Sequence, residues 1–236
     1  MNSMVRIPKP IYDKYHKIYS FLISIKQIKN YIINNFFKLY FRNSRRTWKY
    51  INWFGVPLSK CPLDLWIYQE IIHSQKPDVI IECGTFSGGS ALYLANMCDL
   101  VDNGKIISID IKDTKKKPQH KRIQYLKGSS TSKEILENVK QLIEDNSKVM
   151  VILDSDHHKK HVLDELRTFS KLVTKGNYLI VEDTCINGHP ILPYFGPGPM
   201  EAVKEFLKEN KDFIIDKTKE KFLLTYFPNG FLKKIK

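Results

Sequence analysis

The chain of 236 residues has only four cysteines, Cys61, Cys83, Cys98 and Cys185, and no two of them form a Cys-x-x-Cys pair. That speaks against a disulfide framework and predicts a reducing, cytoplasmic setting. No compact apolar segment with a small-residue cleavage site follows the basic first residues, so no cleavable signal is expected. No apolar run reaches the roughly 18–20 residues of a membrane span. Gly-x-Gly-x-x-Gly and Gly-x-x-x-x-Gly-Lys-Ser/Thr are both missing, so neither a dinucleotide site nor a P-loop is signalled. A hydrophobic content of 42% with 12% aromatics is that of a folded globular chain.

Acidic residues are scarce in one region. Residues 1–50 hold eleven Lys or Arg and a single acid, Asp13, a net of +10 out of the +13 of the whole chain. The remaining 186 residues are nearly balanced, so the basic character belongs to an arm, and nucleic acid is not the expected partner. Within the arm, Ile18, Phe21, Leu22, Ile25, Ile28, Ile32, Phe36, Leu39 and Tyr40 recur at three- and four-residue steps. The spacing predicts an amphipathic helix. Two readings stay open for it: packing on the body or on a second copy of the chain, or lying through residues 10–45 on the inner face of an anionic membrane.

From Pro77 onward the pattern changes. Apolar runs at 78–82, 105–110, 122–127, 148–154 and 178–182 alternate with helix-like stretches at 90–99, 131–145 and 159–173. Such alternation predicts an α/β fold: a doubly wound, mostly parallel sheet covered on both faces. Phe213–Asp216 and Phe222–Tyr226, joined by a charged turn, are expected to form a terminal antiparallel strand pair.

Chemistry concentrates at the carboxyl ends of these runs. In Ile81-Glu-Cys-Gly-Thr-Phe-Ser-Gly-Gly-Ser90 a strand ends, turns on glycine and opens a helix. Ligands of open α/β sheets bind at that place, and glycine lets the backbone approach them. Glu82 would repel a pyrophosphate but suits a cationic or hydroxyl-rich ligand. Asp110, ending the second run, can accept hydrogen bonds from ribose hydroxyls. Ser129 and Ser130 end the third, where an adenine edge would sit. Asp154-Ser-Asp-His-His-Lys-Lys-His161 follows the fourth, and Glu182-Asp183 ends the fifth. Carboxylates on neighbouring strands converge and repel unless a cation neutralises them. Their oxygens favour Mg²⁺ or Ca²⁺, with Mn²⁺ as a further candidate. Alternatively, Asp154 and Asp156 cap the following helix and the histidines are surface groups. The Pro/Gly-rich segments Asn187–Pro190 and Phe195–Pro199 predict a shaped loop able to cover the pocket.

These residues resemble the cephalosporin hydroxylase family. The resemblance runs from Cys61-Pro-Leu-Asp-Leu-Trp-Ile-Tyr-Gln-Glu70 to Pro228-Asn-Gly-Phe-Leu232 and is densest in Glu82–Ala91, Leu153–His157, His161–Leu166, Val181–Thr184 and Phe195–Val203. It implies a Rossmann-like class I methyltransferase fold, despite the family's name, since members serve 7α-methoxylation of cephalosporins and O-methylation of sugars. By resemblance, Glu82, Gly84, Gly88 and Asp110 hold S-adenosylmethionine, with Thr85, Ser90, Ser129, Ser130 and Asp154 beside them. Asp154 or Asp156, with Glu182 and Asp183, holds Mg²⁺, and His157 or His161 takes the acceptor's proton.

The expectation is therefore a basic helical extension over 1–55 and a methyltransferase domain over 56–236, forming a homo-oligomer. The expected reaction is metal-assisted O-methylation of a small molecule or saccharide, with a surface polysaccharide or glycolipid favoured. Two rivals are an iron-dependent hydroxylase built on Asp156, His157 and His161, and a non-catalytic membrane-associated binding protein.

Overall fold

The computed structural model describes residues 9–112 and 116–236. The N-terminal arm forms two helices, α1 (Lys9–Ser24) and α2 (Lys26–Arg42), where the periodicity predicts one. The break falls at Ile25, whose backbone is extended. A short hairpin, β1 (Asn52–Trp53) with β2 (Val56–Pro57), follows. Residue 55, the expected domain boundary, lies in its turn. The α2 part of the arm packs on the main core, where Phe37 is buried against Tyr226.

Helix α3 (Pro62–Gln75) leads into β3 (Val79–Cys83), α4 (Gly89–Leu100), β4 (Lys105–Asp110) and β5 (Ile123–Lys127). Then come α5 (Lys133–Gln141), β6 (Val149–Leu153), α6 (Lys159–Phe169), β7 (Tyr178–Val181), α7 (Pro199–Glu209), β8 (Phe213–Ile215) and β9 (Phe231–Lys234). The sheet order is β5-β4-β3-β6-β7-β9-β8, with β9 antiparallel to both neighbours and the other described pairs parallel. The terminal antiparallel pair is therefore β8 with β9. Phe222–Tyr226 is not a strand: it follows a 3-10 turn at Lys217–Glu220, and the Tyr226 N–H donates to the Asp64 carboxylate (2.9 Å), not to a sheet neighbour.

The central strands are apolar throughout because both faces are covered. Along β3, Ile80 packs with α3 and α4 residues such as Ile71 and Leu94, while Val79 and Ile81 pack with Leu166, Phe169 and Val203 on the opposite face. The chain builds outward through β4 and β5, then returns to place β6 on the other side of β3. That reversal opens a crevice at the carboxyl ends of β3 and β6. The four cysteines are free and buried. Among the described residues no helix is long and apolar enough to cross a membrane.

Candidate active site

One cavity of about 880 Å³ opens over the strand ends. Of the residues singled out in the sequence, Gly84, Thr85, Ser90, Asp110, Ser129, Ser130, Asp154, Asp156, His157, His161, Glu182 and Asp183 line it. Glu82 and Gly88 do not. Glu82 is fully buried beneath it, where Oε2 accepts from the Ser108 hydroxyl (2.7 Å) and Oε1 has no hydrogen-bond partner. Burial raises its pKa.

At the β3–β5 end the glycines work partly against protein rather than ligand. A Cβ on Gly84, whose φ is +103°, would stand 2.0 Å from the backbone carbonyl oxygen of Asp154. One on Gly89 would stand 2.2 Å from that of Pro57. The turn between β3 and α4 is held by Asp110, whose Oδ2 accepts the N–H groups of Thr85 (3.0 Å) and Phe86 (2.9 Å) and whose Oδ1 accepts that of Lys112 (2.8 Å). A carboxylate has about four acceptor positions, so one on Oδ1 is left for a ligand hydroxyl. On the β5 side the Ser130 and Ser155 hydroxyls both donate to Oε1 of the buried Glu165, and His161 Nε2 lies 3.3 Å from the same oxygen. The bond to Glu165 raises the His161 pKa.

The β6–β7 end is built from charge. Lys60, with only 4% exposure, reaches in from just before α3. Its Nζ lies 2.7 Å from Asp154 Oδ2 and 2.6 and 2.7 Å from the two oxygens of Glu182. The buried Tyr68 hydroxyl also donates to Glu182 (2.6 Å). Burial by itself lowers the Lys60 pKa, but Asp154 and Glu182 outweigh it and raise the value, so the ammonium stays charged. Both oxygens of Glu182 are thus held by protein, with one acceptor position left on Oε2. Asp154, His157 and Asp183 bring one ligand atom each within 4.8 Å of one another. His157 Nε2 sits 3.1 Å from Asp183 Oδ2. Asp156 is not in this group, because its Oδ1 accepts from the backbone N–H of His158 (2.8 Å) and contacts the His158 ring (2.6 Å). Asp156, His157 and His161 are therefore not assembled as an iron triad. Lys60 and Tyr68 are the groups that sequence reasoning missed.

The donor set fits a divalent cation. Three carboxylates, the buried Glu182 and the partly exposed Asp154 and Asp183, face one ammonium, and a divalent cation would balance the excess of negative charge. Ile186, Leu192 and Phe195 of the loop after β7 close the cavity over this end.

Comparison with known proteins agrees with this architecture. Residues 45–235 match the family model Rhamnosyl O-methyltransferase/CmcI. The chain is 39% identical over 207 residues to the rhamnosyl O-methyltransferase of Mycobacterium leprae, covering 85% of this chain and 90% of that one. To the enzyme of the same name from Mycobacterium tuberculosis it is 38% identical over 208 residues, covering 85% and 84%. A solved structure of CmcI with Mg and SAM superposes with a TM-score of 0.60 at 19% identity, covering 79% of this chain and 77% of that one, and so shares its fold. On the span of the family match and the identity to these relatives, the chain belongs to the Rhamnosyl O-methyltransferase/CmcI family of O-methyltransferases.

Proposed function

We propose that the chain moves the methyl group of S-adenosylmethionine to a hydroxyl of a sugar, with a divalent cation at Asp154 and Asp183. The observation that carries this reading is that one cavity joins the Asp110 end to the Asp154–His157–Asp183 cluster. The names of the relatives, rhamnosyl O-methyltransferases, support a sugar acceptor. The CmcI structure holding Mg and SAM supports both the donor and the cation.

The Oδ1 position left on Asp110 would take a ribose hydroxyl, and Ser129 and Ser130 would border the adenine. Mg²⁺ prefers oxygen and keeps several waters, so Asp154 Oδ1 and an Asp183 oxygen would hold it, and His157 stays available for a proton. When bound, the cation supplies Lewis acidity that lowers the pKa of an acceptor hydroxyl. His157, oriented by Asp183, takes the proton as the oxygen attacks the methyl carbon and the carbon–sulfur bond breaks. Lys60 and Tyr68 fix Glu182 and one oxygen of Asp154, so the chain's contribution is chiefly alignment of donor and acceptor. The test is methylation of an aryl rhamnoside by the purified chain with S-adenosylmethionine and Mg²⁺. Transfer abolished by EDTA and in Asp183→Asn, with donor binding intact, is expected. Full transfer under both conditions overturns the metal role.

The arm supports a further reading, peripheral contact with an anionic membrane. Tyr19, Tyr31, Phe36 and Leu39 are exposed on α1 and α2 among the lysines of the +10 segment, a combination that suits an interfacial helix. Co-sedimentation with phosphatidylglycerol vesicles but not phosphatidylcholine vesicles is expected. A homo-oligomer in solution with no vesicle binding would assign that face to subunit contact instead.

A further inference from the structure

One wall of the cavity comes from outside the doubly wound body. Phe41, in the last turn of α2, and Trp48, just past the following 3-10 turn, line it beside Tyr226. Phe41 precedes the residues that match the family model. The Phe41 and Trp48 rings stack with centroids 5.3 Å apart at 16°. Tyr226 meets Trp48 edge-on at 5.7 Å and 71°, and meets Phe41 at 6.2 Å. Backbone bonds hold the group in place. Trp48 Nε1 donates to the Phe41 carbonyl (3.3 Å), and the Thr47 hydroxyl donates to that of Tyr40 (2.8 Å). Phe37 stacks behind Tyr226 at 5.1 Å and 18°.

The position of this cluster says which ligand it meets. The Tyr226 carbonyl accepts the N–H of Cys185 (3.2 Å), two residues beyond Asp183. The wall therefore stands at the β7 end of the cavity. Asp110 ends β4, three strands away in the sheet order, which is about 14 Å at the usual strand spacing. The aromatic surface faces the acceptor's side, not the donor's. The Tyr226 hydroxyl is buried and has no hydrogen-bond partner.

A pyranose carries C–H groups on its faces and hydroxyls around its edge. The electron-rich face of an aromatic ring attracts the slightly positive C–H groups, while the hydroxyls need polar partners. An aromatic wall beside a carboxylate cluster offers both in one cavity. We propose that Phe41, Trp48 and Tyr226 are the acceptor-binding wall: the sugar's C–H face lies on the ring surface that Phe41 and Trp48 present to the cavity, and an edge hydroxyl turns to His157 and Asp183. The inference rests on the sugar-methylating function proposed above. It makes the end of the basic arm a determinant of acceptor choice.

The experiment uses the full chain with S-adenosylmethionine, Mg²⁺ and p-nitrophenyl α-L-rhamnoside. Donor affinity is measured by calorimetry, and acceptor KM and kcat by methyl transfer. Trp48→Ala and Phe41→Ala are expected to raise acceptor KM about tenfold, the scale of a lost aromatic contact, with donor affinity unchanged. Trp48→Phe restores most of the loss. Trp66→Ala, at an exposed indole bonded to Glu70 outside the cavity, behaves as wild type. Should Trp48→Ala fail to fold, Trp48→Leu keeps the bulk, removes the ring face and carries the same expectation. An active wild type whose wall variants keep its acceptor KM overturns the wall alone. A wild type that binds the donor yet methylates no aryl glycoside overturns the sugar acceptor and the wall's ligand together.

Discussion

The two ends of the cavity are held by different forces. At the β3–β5 end, Asp110 gathers backbone N–H groups of one turn and small residues leave room. Its bonds from the β3–α4 turn to Asp110 join residues 24 and 25 apart in sequence. At the β6–β7 end, buried charge is balanced by Lys60 and Tyr68, which lie 94 or more residues away in sequence from the acids they hold. The first end is a shape set largely by backbone groups. The second is an electrostatic assembly that exists only once the chain has folded, and its parts fail together.

The largest break in that contrast should come from Lys60→Met. It leaves Glu182 and Asp154 without their ammonium, and removing one partner of a buried pair costs about 3–5 kcal/mol, read from urea unfolding. Lys60→Met with Glu182→Leu should recover much of the stability and none of the transfer activity. Asp64→Asn comes next. Burial raises the folded pKa of Asp64 to about 7. The folded protein therefore holds this proton where the unfolded chain has lost it, so stability falls as pH rises from about 4 to about 7. Above that range the cost is complete, on the order of 4 kcal/mol. Asn keeps an acceptor for the Tyr226 N–H, so the variant should be the more stable protein at pH 8 and show a flatter melting profile between pH 4 and 7.

A paired measurement then separates the ends functionally. Asp183→Asn should lower kcat about 100-fold with donor affinity unchanged, as loss of a group that stabilises developing charge does. Asp110→Ala should weaken donor binding about tenfold. Equal effects on both parameters in both variants would erase the distinction. The smallest change is expected at His161. His161→Gln should weaken donor binding roughly threefold, in keeping with one modest hydrogen bond, and leave kcat at saturation as it was. A collapse of kcat there would make His161, not His157, the proton acceptor.

The same contrast decides what could be read from the sequence. Parallel strands buried on both faces appear as unbroken apolar runs, and their terminal acids are visible as punctuation, so β3, β4, β6 and β7 were legible with Asp110, Asp154 and Asp183 at their ends. Glycine marked the β3–α4 turn, although the reason for Gly84 is the carbonyl of Asp154 rather than a ligand alone. Helix α3 was not legible by period. Its exposed face carries the apolar Leu63 and Trp66, and its buried face carries Asp64 beside Leu65, Ile67, Tyr68, Ile71 and Ile72, so residue type does not follow the helical period. Lys60, in Leu58-Ser-Lys-Cys61, has no pattern around it, and a lysine is normally exposed. Phe222–Tyr226 has a strand's composition, but Asp64 claims the N–H that a ladder would need.

The close backbone approach that glycine permits at position 84 has a mechanical consequence. The tip of β3, which would carry the donor, and the tip of β6, which carries Asp154, rest on each other through main chain alone. The gap the methyl group must cross is therefore gauged by two backbones in contact, not by any side chain of the acceptor wall. Substitutions at 41, 48 or 226 can re-cut the seat for a different sugar while the stroke of the transfer stays the same length.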